Sequence, residues 1–103
     1  MKNIQNEINE LIAQRDSVNY VLRIFTATNT KTGEQVVVTA TTPTAYSTAS
    51  VEAARKLTDR KDVTATRLTN DRHADGAFEI LEWDANKSEF NSIGVQFDLA
   101  EVK

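Results

Sequence analysis

Residues 92–100 read Ser-Ile-Gly-Val-Gln-Phe-Asp-Leu-Ala and alternate along their whole length. Ile93, Val95, Phe97 and Leu99 fall on one side, and Gly94, Gln96, Asp98 and Ala100 on the other. A period of two with one apolar face marks a half-buried antiparallel strand, which needs partner strands beside it and a layer packed against it. Two segments upstream have the β-branched and aromatic content of such partners: 63–69 (VTATRLT) and 77–83 (AFEILEW). A polar loop at 70–76, closing on Asp75 and Gly76, separates them, and a second polar loop at 84–91 precedes the final strand.

Further towards the N-terminus, residues 18–28 (VNYVLRIFTAT) and 34–41, with Val36, Val37 and Val38, repeat the strand preference. Asn29, Thr30, Lys31, Thr32 and Gly33 between them read as a hairpin loop, in which Gly33 takes the positive φ that closes the turn. Apolar side chains on both faces of 18–28 predict a central strand covered from two sides. Two helices are available as cover. In residues 4–14 Ile4, Ile8, Leu11 and Ile12 recur on one stripe, with Asn3 as N-cap. A helix of that length is unstable alone, so its stripe packs against its own sheet or dimerises two chains. The second helix opens at Thr42 and Pro43, threonine as N-cap and proline as first helical residue. Its inward stripe is Tyr46, Ala49, Ser50, Ala53, Ala54 and Leu57, mostly alanine, so its axis lies close to the sheet. The order α-β-β-α-β-β-β predicts a single α+β domain over residues 1–103, a mainly antiparallel sheet of about five strands with one packed helix and an N-terminal helix.

Composition narrows the chemistry. None of the 103 residues is cysteine, which removes disulfides, thiol catalysis, zinc–thiolate sites and iron–sulfur clusters. No stretch approaches the ~20 apolar residues of a membrane helix, and no signal-peptide core opens the chain. The expectation is a soluble, cytoplasmic protein. The net charge is −3, unevenly distributed. Residues 1–70 carry nine basic and seven acidic side chains, whereas 71–103 carry three basic and eight acidic, a local balance of −5.

The usual catalytic patterns are missing. Three glycines form no phosphate-cradling loop. His73 is the single histidine, and Asp71, His73 and Asp75 alternate as metal ligands would, but in a polar loop with no second histidine to complete and orient a cage. Glu79 lies on the opposite strand face from Glu82 and Asp84 by parity, so they form no acid–base dyad. Ser47 and Ser50 suit helix packing rather than nucleophilic attack. The reading is a protein that is not an enzyme and holds no cofactor or metal. Binding remains. The acidic sector Glu79, Glu82, Asp84 and Glu89, with Trp83 or Phe90 as an anchor, fits a protein partner with a basic surface. The alternative uses Arg55, Lys56, Arg60, Lys61 and Arg67 to hold nucleic-acid phosphates, although Phe78, Trp83 and Phe97 read as core or half-core residues rather than a stacking platform. A third reading is a self-associating phage accessory protein, monomer or homodimer, joined through Ile4, Ile8, Leu11 and Ile12.

A resemblance favours the first reading. A strand through Val36-Val37-Val38-Thr39-Ala40, an alanine-rich helix at 45–57, a strand at 63–68, a polar loop to 78–83 and the closing Gly94-Val95-Gln96-Phe97-Asp98-Leu99 together cover residues 34–102. In element order, size and composition this resembles small phage-encoded anti-CRISPR proteins that disable type I surveillance complexes. The helix at 4–14 and the strand at 18–28 stand outside the shared pattern. The resemblance implies a stoichiometric inhibitor without turnover, covering a basic surface of a host Cas subunit. It would thereby block DNA pairing or nuclease recruitment, with the acidic sector imitating DNA phosphates.

Overall fold

In the computed structural model, which describes residues 4–17, 21–41 and 43–103, the elements follow the expected α-β-β-α-β-β-β order. They are α1 (Ile4–Ser17), β1 (Arg23–Asn29), β2 (Gln35–Ala40), α2 (Ala45–Thr58), β3 (Val63–Arg67), β4 (Gly76–Asp84) and β5 (Glu89–Glu101). The strands form one antiparallel sheet in the order β2-β1-β5-β4-β3, so the fold is α+β.

Two helices cover opposite faces of the β1–β2 side. On one face Ala45, Tyr46, Ala49, Ala53 and Ala54 of α2 meet Phe25, Ala27, Val38, Phe78, Ile80, Phe97 and Leu99. α2 packs most extensively against β2 and β3, the two edge strands. The alanines keep the helix close to the sheet, and Phe25, Phe78 and Phe97 fill the core beneath it. On the other face Ile8 is buried with Ile24 and Val37, flanked by Ile4, Leu11, Ile12 and Val102. The stripe on α1 is therefore occupied by its own sheet. The same face of β3, β4 and β5 has no helix over it among the described residues.

Several expectations need correction. Val21 and Leu22 precede β1 rather than belonging to it, and residues 18–20 lie outside the described residues. β1 is internal but second from the edge; β5 is the middle strand, because its length lets it pair with both β1 and β4. α2 starts at Ala45 with Thr44 as N-cap, and Pro43 sits in the turn before it. The caps expected at Asn3 and Thr42 fall outside the described residues. The later start buries Ala45 and Tyr46 together, a tertiary gain that local capping signals do not report. The hairpin at 29–33 closes as expected, with Gly33 at φ +78° and the Asn29 side chain accepting from the Lys31 and Thr32 main-chain N–H groups. The polar loop expected over 84–91 shrinks to residues 85–88, since Asp84 ends one strand and Glu89 begins the next.

Candidate functional site

The shortened loop turns β4 and β5 into a projecting arm. β1 pairs with β5 only over Phe97–Glu101, and β3 reaches along β4 only to Glu82. Beyond the Glu82–Asn91 pair the hairpin is two strands wide. At its base the register breaks between Glu79 and Leu81, where Gly94 adopts φ +79°, a conformation that costs glycine nothing. Such a bulge bends the ribbon and re-aims the residues beyond it.

The two faces of the arm differ in chemistry. Phe78 and Ile80 point into the core with α2, so Glu79, Leu81 and Trp83 lie on the opposite face by alternation. Trp83 stands directly across from Phe90, ring centroids 5.0 Å apart at 67°, and the two residues are 52% and 53% exposed. Sequence reasoning read Trp83 with Phe78 and Phe97 as core or half-core, and also as an anchor beside the acidic sector. The structure buries the two phenylalanines and leaves the tryptophan outside, because no helix covers that end of that face. The edge-to-face pair also fastens a ribbon that lacks other neighbours.

The reverse face carries Glu82, Asp84 and Glu89. The Arg60 guanidinium donates to Glu82 Oε2 at 2.8 Å and to both oxygens of Asp62, holding the Asp62 carboxyl below its usual range. Asp84 Oδ1 accepts from the main-chain N–H groups of Asn86 and Lys87, and Asp84 Oδ2 from Asn91 Nδ2 at 3.2 Å, which closes the turn. Glu89 is the direct cross-strand partner of Asp84, and no described cation forms an ion pair with either. Two carboxylates opposite each other repel until a cation joins them. The predicted acidic sector is thus divided: Glu82, Asp84 and Glu89 share the reverse face, whereas Glu79 lies on the aromatic face, accepting from Gln96 Nε2 at 3.4 Å.

Of the basic cluster, Arg55, Lys56, Arg60 and Lys61 line one shallow groove together with the acidic Glu52 and Asp59, and Arg67 lies outside it. Arg60 is committed to Asp62 and Glu82, and Arg55 to Glu52. Lys56 Nζ donates to the Val37 carbonyl at 2.7 Å. The Arg67 guanidinium lies over the Phe78 ring, 4.6 Å from its centroid, and Lys61 lies beyond the end of α2. The loop with His73 is similarly structural. Asp71 accepts from the His73 main-chain N–H, and Asp75 Oδ1 accepts both the Tyr46 hydroxyl and the Glu101 N–H at 2.9 Å. Among the described residues no group of histidine and carboxylate side chains is arranged to hold a metal ion. Ser50 Oγ donates to the Ser47 carbonyl at 2.7 Å rather than facing a base.

Sequence reasoning missed the network behind that loop. Arg23 binds Glu101 through two parallel bonds at 2.8 and 2.9 Å, which holds the Glu101 carboxyl below the usual range. Burial and the hydrogen bond to Asp75 push the Tyr46 phenol up to about 12. Partners 78 and 29 residues apart leave no local signal in the sequence. No described helix is long and apolar enough to cross a membrane. Compared with known proteins, the chain matches no family model, no curated protein and no solved structure.

Proposed function

We propose that this protein acts stoichiometrically, by docking the β4–β5 arm onto another protein, and that its partner is a bacterial defence complex of the type I CRISPR surveillance class. The observation that carries the docking reading is the half-exposed Trp83–Phe90 pair backed by Glu82, Asp84 and Glu89. Aromatic anchors at a projecting tip are the usual energetic centre of an interface, and carboxylates beside them select a cationic surface and speed encounter. The Asp84–Glu89 couple, without an ion-pair partner among the described residues, supports a partner that brings lysine or arginine to it. The choice of a defence complex rests on the resemblance of residues 34–102 to anti-CRISPR proteins; nucleic-acid-binding surfaces of such complexes are basic by necessity.

The test is inhibition of DNA binding by a purified type I surveillance complex. The wild-type chain is expected to co-elute with the complex and block duplex binding. Trp83→Ala with Phe90→Ala is expected to weaken association by about 2 kcal/mol or more, roughly thirtyfold. Glu82→Lys with Glu89→Lys is expected to slow association and reduce its salt dependence. Failure of the wild-type chain to bind rejects the defence-complex assignment. Unchanged inhibition by both double variants rejects the arm as the docking site.

A further inference from the structure

The two edges of the sheet are finished differently. At the β2 edge, Asn29 N–H donates to Glu34 O, which sets the pattern in which Val36, Val38 and Ala40 bond β1 and Gln35, Val37 and Thr39 face outwards. That edge is guarded: the Lys56 ammonium takes the Val37 carbonyl, and α1 packs over the adjoining face through Ile8 and Val37. At the β3 edge, Leu68 N–H donates to Ala77 O, so Thr66 and Thr64 bond β4 and the N–H and C=O groups of Val63, Ala65 and Arg67 face outwards. Of the three, Val63 is buried and Ala65 and Arg67 stay partly exposed. Lysine, proline or a bulge normally protects an exposed edge, and Val63–Arg67 contains none of these. The one charge on the strand, Arg67, is drawn back over the Phe78 ring.

We infer that β3 pairs antiparallel with β3 of a second copy, about a two-fold axis through Ala65, to form a continuous ten-stranded sheet. The occupant follows from the self-complementarity of Val-Thr-Ala-Thr-Arg. In that register the two Ala65 residues exchange both main-chain bonds, and Val63 lies across from Arg67 of the partner subunit on either side. Thr64 then stands across from Thr66 of the partner subunit in the closer, non-bonded pairing, Cα atoms about 4.5 Å apart, where threonine pairs are favourable. No like charges oppose each other. Slipping the register by one residue aligns inward-bonded groups with outward ones, and so leaves donors unmatched. The contact is isologous and closes as a dimer. It leaves the arm free, and is independent of the docking reading above.

The test is the mass of the full chain by light scattering across a wide concentration range. The expected result is a concentration-dependent shift from one chain mass to two. Thr64→Lys with Thr66→Lys sets lysines opposite lysines and is expected to weaken the dimer about tenfold or more, while placing a lysine across from Glu79 within its own chain. Thr64→Glu with Thr66→Lys sets opposite charges across the axis and is expected to restore the dimer. Hydrogen exchange on the unaltered chain reads the same contact without a variant: the Ala65 amide is expected to be protected at high concentration and to exchange freely on dilution. A single chain mass at the highest soluble concentration overturns the inference. So does a dimer whose Ala65 amide stays unprotected, or one untouched by the double lysine substitution.

Discussion

The β4–β5 hairpin contains two aromatic cross-strand pairs with opposite fates. Phe78 and Phe97 stack with centroids 5.5 Å apart and 11° between planes, and both are buried under α2. Trp83 and Phe90, further along the same ribbon, pair at 5.0 Å and stay about half exposed. Both are direct cross-strand pairs; what differs is the layer above. Around the inner pair even polar groups are used internally, with Arg23, Glu101, Asp75 and Tyr46 satisfying one another, and no buried side-chain nitrogen or oxygen among the described residues lacks a partner. Around the outer pair, apolar surface is left in water, and Asp84 and Glu89 face each other with no described cation paired to them. Internal packing and the proposed docking surface therefore occupy different ends of one pair of strands, which permits either to change with little effect on the other.

That division is best broken from the inside. Phe97→Ala deletes a fully buried ring and is expected to lower unfolding free energy by about 3–5 kcal/mol in urea titrations. Trp83→Ala at the other end is expected to cost about 1 kcal/mol or less, since about half of its surface already faces water. Equal losses at the two positions would show that the arm is part of the core.

The polar network at the packed end sharpens the contrast through pH. The Arg23 guanidinium depresses the Glu101 carboxyl in the folded chain, so this pair contributes stability above the ordinary glutamate value of about 4.3. That contribution is lost as pH falls through the depressed folded value. Glu101→Gln is expected to cost about 1.5–3 kcal/mol at neutral pH and to flatten the acid limb of the stability profile. An unchanged acid limb would mean that the pair is not maintained in solution.

The smallest effect tests the joint between the regions. Gly94→Ala meets no neighbouring atom, so its cost is the positive φ alone, about 1 kcal/mol. It is expected to shift the chemical environment of the Trp83 indole, read by NMR, while leaving Phe97 resonances in place. Movement at both would show that the bulge holds the core as well as the arm.

The sequence was informative where structure is local. The alternation of Ile93, Val95, Phe97 and Leu99 and the alanine stripe of α2 are periodicities, and the structure places both as read. The same local reading failed at 84–91, because Asp84, Asn86 and Asn91 look like loop residues until Trp83 is seen to pair with Phe90. The candidate site was half legible for the same reason. Trp83, Phe90, Glu82, Asp84 and Glu89 could be picked out as chemistry, but parity could not say which face α2 would cover, and nothing near Glu82 announced Arg60.

The sequence by itself determined the element order, the α+β class, the hairpin at Gly33 and the inward faces of α2 and β5, since each follows from spacing along a few neighbouring residues. Only the tertiary structure decided that β5 lies in the middle, that the arm extends past both its neighbours, that the two sheet edges are finished differently, and that Trp83 stands half in water while Phe97 does not. Those outcomes depend on which distant segments meet. Main-chain hydrogen bonding is the same for every pairing of strands, so the choice falls to packing against α1 and α2, which no short stretch of the chain contains.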